Sequence, residues 1–98
     1  MKQKEDLKEK SVEVAEILKT LSHPQRLFIL CLLMDGEKSV GEIAEMSDLS
    51  QSQTSQFLIR MQKEGLLASR KEGNFSMYQI SDKKIQKLIL SMNKIFCA

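Results

Sequence analysis

Ser39 and Ser50 constrain this chain more than any other pair of residues, because each is followed three positions later by a partner that completes a capping box, Glu42 for the first and Gln53 for the second. In such a box the serine hydroxyl and the later side chain satisfy the first free amides of a helix. The spacing predicts a short helix, a tight turn and a second helix. Behind Ser50, the residues Thr54, Phe57, Leu58 and Met61 recur on one side of the second helix and form its packed face. Ser52, Ser55, Gln56, Ile59 and Lys63 fall on the other side, a surface that is largely uncharged and rich in hydrogen-bonding groups.

Such a face suits base edges in a DNA major groove, where Gln pairs with adenine and Ser donates or accepts. Helix, turn and helix in this order form the helix-turn-helix arrangement. Ser50, Gln51, Ser52, Gln53, Ser55 and Gln56 are the candidate base-reading residues, with Arg60 and Lys63 as candidate phosphate contacts further along. The alternative is a two-helix corner of an ordinary helical domain whose polar face is merely wetted. The next segment of the chain favours DNA. LLASRKEG and FSMYQI read as two strands, and Gly73-Asn74 supplies the turn of a tight hairpin. A helix-turn-helix followed by a hairpin is a winged helix. Arg70, Lys71 and Asn74 lie near the hairpin tip, where they reach phosphates or the minor groove, or are plain solvated surface.

The charge distribution is an independent check. The net charge of +2 hides an asymmetry: residues 1–50 carry seven Lys or Arg against ten Asp or Glu, whereas residues 51–98 carry eight against three. Positive charge therefore sits with the candidate reading head, where phosphate contacts need it. At 98 residues the chain reads as one domain over 1–98, too small to bury a large share of its surface alone. No apolar run of membrane-spanning length is present, and the start MKQKEDLKEK lacks the apolar core of a secretory signal, which predicts a cytoplasmic protein. With one His, no Gly-rich phosphate loop and no nucleophile-base pair, enzymatic chemistry has no support.

Two further apolar stripes frame the reading head. Leu7, Val14, Leu18 and Leu21 mark a first helix that takes hold near Leu7, and Ile85, Leu88, Ile89, Met92, Ile95 and Phe96 mark a last one. They exceed what one small core needs, so the terminal helices are expected to pair two chains into a homodimer on an inverted-repeat operator. Closure of both stripes over a single chain's own core is the alternative. Between them, Ser22 is a candidate cap for a helix with Pro24 in its first turn, and LFILCLLM reads as a helix buried all round.

Taken together, LKTLSHPQRLFILCLL, SVGEIAEMSDLSQSQTSQFLIRMQKEGLLASRKEG, the strand MYQI and the closing amphipathic helix resemble the ArsR/SmtB family of winged-helix repressors over nearly the full chain. The resemblance implies a mainly α fold of about five helices with a two-stranded wing, dimerising through its terminal helices. It also implies DNA affinity lowered by a chemical signal. Phe57 departs from relatives that carry His in the recognition helix, which bears on base preference. Metal-sensing members place Cys pairs, or Asp, His and Glu ligands, where this chain has GEIAEMSDL and DKKIQKLILSMNKIFCA, and two Cys with one His do not make a family-type zinc site. No metal or cofactor is expected.

By themselves, Cys31 in an apolar helix reads as a small core residue and Cys97 as an incidental tail thiol. The resemblance reverses that weighting. One Cys in the second helix and one at the end of the last is similar to the HlyU, BigR and SqrR branch, and implies a dithiol that senses reactive sulfur species or oxidants. A regulator without a chemical inducer, displacing another DNA-bound protein, is the rival within the class. A protein-interaction module is the rival outside it, since the first turns of the recognition helix carry no Arg or Lys for guanine.

Overall fold

The structure is a computed structural model and describes residues 3–97. Five helices and three short strands follow in the order α1 (Lys4–Leu21), α2 (Pro24–Leu33), β1 (Lys38–Ser39), α3 (Val40–Ser47), α4 (Gln51–Lys63), β2 (Leu67–Glu72), β3 (Phe75–Ile80) and α5 (Lys83–Phe96). The sheet is antiparallel with strand order β1-β3-β2.

Both capping boxes form. Ser39 Oγ accepts from the Glu42 amide at 3.1 Å while Glu42 accepts from the Ser39 amide at 2.9 Å. Ser50 Oγ accepts from the Gln53 amide at 3.0 Å, and Gln53 accepts from the Ser50 amide at 3.1 Å. The turn between them is made by Asp48, whose φ of 56° lies in the left-handed region. Its amide faces the carbonyls of Ala44 and Glu45, which ends α3. Gly65 does the same after α4, at a φ of 83°.

The core gathers Ile29, Leu30 and Leu33 of α2, Ile43 of α3, Leu58 and Met61 of α4, Leu66, Leu67, Tyr78 and Ile80 from the hairpin region, and Ile85 and Ile89 of α5. Burying each such side chain is worth about 1.5–3 kcal/mol, so the packed side of α4 is held firmly and its other side is left outward. The hairpin closes through Gly73, the one residue of the Gly73-Asn74 turn with positive φ, between the facing pair Glu72 and Phe75.

Four details depart from the sequence expectations. The wing has a third strand, because Lys38 and Ser39 pair with Tyr78 and Met77 of β3. Two residues carry no alternation to read, yet this pairing anchors the cap of α3 to the wing. The cap of α2 is His23 rather than Ser22: His23 Nδ1 accepts from the Gln25 amide at 3.1 Å, while the Ser22 hydroxyl is spent on the Lys19 carbonyl at 2.8 Å, closing α1. Helix α1 starts at Lys4, before Leu7, with Glu5 and Asp6 in its first turn where the helix dipole favours them.

The fourth concerns α2, which is not buried all round. Phe28 is 43% exposed and Cys31 and Leu32 are half-buried, because α1 reaches the core only at its C-terminal end, through buried Leu21 and half-buried Ile17. Leu7, Val14 and Leu18 of α1, and Leu90, Ile95 and Phe96 of α5, also remain exposed. The two apolar stripes therefore close over this chain's own core only in part, through Leu21 with Ile17 on α1 and through Ile85, Leu88, Ile89 and Met92 on α5.

Candidate functional site

Helix α4 is seated by Thr54, Leu58 and Met61, all fully buried, with the Thr54 hydroxyl donating back to the Ser50 carbonyl at 2.9 Å. That seating turns Gln51, Ser52, Gln53, Gln56, Ile59, Arg60 and Lys63 outward and leaves Ser55 half-buried. The candidate reading residues thus share one surface. Ser50 and Gln53 have a second duty in the cap, so the Gln53 carboxamide oxygen is occupied and only its NH₂ group is free to donate outward.

The wing presents a different balance. Arg70 Nε donates to both carboxylate oxygens of Glu37, at 3.2 and 3.0 Å, and its Nη2 pairs with Glu37 and, at 2.7 Å, with Glu72. These bonds push the Arg70 pKa up and, from the other side, hold Glu37 below the usual carboxylate range. Arg70 stays charged, with Glu37 and Glu72 as its partners. Lys71 and Asn74 are exposed, and Lys71 has no ion-pair partner among the described residues.

Positive charge with no ion-pair partner among the described residues, that of Lys19 and Arg60, lies on a flank of α4. The end of α1, the start of α2 and α4 enclose a cleft of about 450 Å³ lined by Lys19, His23, Arg26, Gln56, Phe57 and Arg60, among others, with no carboxylate in the lining. Arg26 donates Nη1 to the Thr20 carbonyl at 3.1 Å and pairs with Glu64 just beyond α4. Burial, and after it the like charge of Arg60, lowers the Arg26 pKa. The His23 ring packs on Phe57 with centroids 5.2 Å apart, and since Nδ1 accepts from the Gln25 amide, Nε2 is its outward donor. Sequence reasoning did not assign Lys19 or Arg26 to this surface. The available signal was LKTLSHPQR itself, three basic side chains and a turn, but nothing local says that the turn folds against α4.

A second site joins residues far apart in sequence. Cys31 of α2 and Cys97, the residue closing α5, line one open cleft of about 620 Å³ with Phe28, Asn93 and Lys94. Both thiols are free, Cys31 half-buried and Cys97 exposed. Burial pushes the Cys31 thiol pKa up, and the nearby Cys97 adds to the rise. Among the described residues, no group of three or more His, Cys, Asp or Glu is gathered as a metal site.

A capped helix-turn-helix with an outward polar face, followed by a hairpin wing, defines a winged helix-turn-helix protein of the DNA-binding type. The chain belongs to the ArsR family of bacterial regulatory proteins, whose profile matches residues 23–69. It is 37% identical over 95 residues to the biofilm growth-associated repressor of Xylella fastidiosa, covering 97% of this chain and 83% of that protein. The transcriptional activator HlyU of Vibrio cholerae is 33% identical over 93 residues, with 95% and 86% covered. The crystal structure of the repressor BigR from Xylella fastidiosa superimposes with a TM-score of 0.88 at 36% identity, covering 99% of both chains. These relatives are transcriptional regulators, not enzymes.

Proposed function

We propose that this regulator binds an inverted-repeat operator in double-stranded DNA as a homodimer, and that its affinity falls when an oxidant or a reactive sulfur species bridges Cys31 and Cys97. The observation that carries the switch is the shared cleft, in which a thiol from α2 and a thiol from the end of α5 are neighbours.

In this reading Gln51, Ser52, Ser55 and Gln56 meet base edges, with the Gln53 amide assisting, while Ser50 holds the helix start. Arg60, Lys63 and Lys71 take phosphates, joined by Lys19 and His23 on the flank of α4, and Asn74 lies at the wing tip. A second copy covers Leu7, Val14, Leu18, Leu90, Ile95 and Phe96, the apolar residues left open on α1 and α5. That places two α4 helices for successive major grooves. A cytoplasmic location belongs to the same reading. Among the described residues no helix is long and apolar enough to cross a membrane.

With peroxide the switch balances as two thiols and one hydrogen peroxide giving one disulfide and two waters. A disulfide requires Cα atoms about 4.4–6.8 Å apart, so bridging draws the end of α5 toward α2 and disturbs the apolar face that holds the partner. A coupling of about 1–3 kcal/mol releases the operator several-fold to a hundred-fold. The test is operator binding by reduced and by peroxide- or persulfide-treated protein, alongside a variant with both Cys31→Ser and Cys97→Ser. An oxidant response that survives in the double variant removes the dithiol from the mechanism. One relative is a repressor and another an activator, which favours a second reading in which the chain acts by displacing another DNA-bound protein. Transcription from the bare operator with this protein alone separates the two.

A further inference from the structure

We propose that Asn93 is the positioning residue of the dithiol: one carboxamide oxygen accepts from the Cys31 and Cys97 thiols together and so holds the two sulfurs near one point until an oxidant arrives. The proposal rests on the reading of these cysteines as a switch.

Three contacts carry it. Cys31 Sγ donates to Asn93 Oδ1 at 3.7 Å, and Cys97 Sγ donates to the same oxygen at 4.0 Å. The Cys97 amide also donates to the Asn93 main-chain carbonyl, at 2.8 Å. Each thiol bond is weak. Their common acceptor is what matters: two sulfur atoms reaching one oxygen lie closer together than the sum of those two distances, although they come from different helices. Asn93 is half-buried and Cys97 is fixed to it through both main chain and side chain, so α5 delivers its terminal thiol in register with Cys31 rather than at random.

The same oxygen bears on the protonation of Cys31. A thiol can donate to a carbonyl oxygen, whereas a thiolate would face its lone pairs, so an accepting carboxamide favours the neutral sulfur. Desolvation of Cys31 acts in the same direction. The titratable groups lining the cleft are Cys31 from α2 and Lys94 and Cys97 from the end of α5, and the only cation among them is Lys94. The pair is held close but quiet.

When hydrogen peroxide arrives, a thiol gives up its proton and its sulfur attacks one peroxide oxygen. The O–O bond breaks, one water leaves and a sulfenic acid forms. The neighbouring thiol then loses its proton, displaces the sulfenic oxygen as the second water and closes the S–S bond. Two sulfurs are oxidised by two electrons in all, and peroxide is reduced to water. Asn93 is unchanged throughout. Its contribution is that the second thiol is already beside the first.

The test compares the reduced parent protein with Asn93→Ala and Asn93→Asp, all verified as folded by circular dichroism melts. Iodoacetamide labelling of each cysteine across pH, read by mass spectrometry, reports protonation. Peroxide treatment in the presence of dimedone reports placement, as the share trapped singly oxidised against the share bridged. In Asn93→Ala the labelling midpoint of Cys31 moves down, labelling at neutral pH speeds up about two-fold, the equivalent of one weak hydrogen bond, and the dimedone-trapped share rises. Asn93→Asp retains an acceptor and adds negative charge, so it moves the midpoint up. If Asn93→Ala gives the parent's labelling profile and bridged share, the proposal is overturned. If the parent itself forms no Cys31–Cys97 bridge, the switch reading fails, while the labelling profiles still decide whether Asn93 holds the Cys31 thiol protonated.

Discussion

Arg70 of β2 and Glu37 of the loop before β1 are paired, with Arg70 Nε 3.0 and 3.2 Å from the two carboxylate oxygens. Paired bonds of this kind are charge-assisted and directional, and they hold the guanidinium against the loop before β1 instead of letting it extend toward a ligand. The wing arginine is thus a brace between the helix-turn-helix and the hairpin. Glu72 completes its coordination at 2.7 Å.

The first prediction concerns that brace. Glu37→Gln combined with Glu72→Gln removes the charges that hold Arg70 and leaves it free for phosphate, so operator affinity rises and the logarithmic salt dependence steepens by about one unit. Fluorescence anisotropy across a potassium chloride series checks it. In the parent background, Arg70→Ala changes that slope little.

On the flank of α4 the expectation is opposite. Lys19→Ala and Arg60→Ala each weaken binding to specific and random duplexes alike and reduce the salt slope by about one, because they remove unpaired charge from the carboxylate-free cleft. Gln56→Ala, by contrast, lowers discrimination between operator and random duplex by about 1–3 kcal/mol with the salt slope intact.

Acid stability should report the first capping box. Hydrogen bonds from the Ser39 main-chain amide and then its hydroxyl hold Glu42 below its ordinary pKa of 4.5. A lowered folded-state pKa means that the box's contribution is complete above 4.5 and is lost as pH falls through the lower folded value. Glu42→Gln therefore lowers stability at neutral pH, where the ionised carboxylate contributes, and flattens the acid limb of a stability-versus-pH curve, so that the two proteins converge as pH falls. Ser50→Ala, which removes the second cap, costs about 1 kcal/mol in urea unfolding.

Dimerisation is tested at the end of α5. Ile95 is 72% and Phe96 81% exposed in the single chain. Phe96→Glu places a charge on the proposed partner face, so the dimer weakens about ten-fold or more in sedimentation equilibrium while the helical circular dichroism signal of the chain is retained.

Much of this architecture was legible in short-range pattern. The two capping boxes, the core side of α4 through Thr54, Leu58 and Met61, and the Gly73-Asn74 turn all depend on residues a few positions apart, which is the range over which caps, helical faces and hairpin turns act. Two readings failed for a common reason. LFILCLLM looks buried on every side, but whether α2 is covered depends on where α1 lies, and α1 reaches the core only through Leu21 and Ile17 near its end. Ser22 has the chemistry of a cap, but competition from the Lys19 carbonyl took its hydroxyl.

The candidate site divides the same way. Residue chemistry and helical period determined by themselves that α4 would carry an outward polar face of Ser and Gln, since a capped amphipathic helix has only one way to bury its apolar side. Which cations are available beside that face was decided by the tertiary fold, which spends Arg70 on Glu37 and gathers Lys19 next to Arg60. The meeting of Cys31, Asn93 and Cys97 was decided there too. Electrostatic pairing and thiol geometry act over a few ångströms in space, and no rule of local spacing reports which distant segments come within that range.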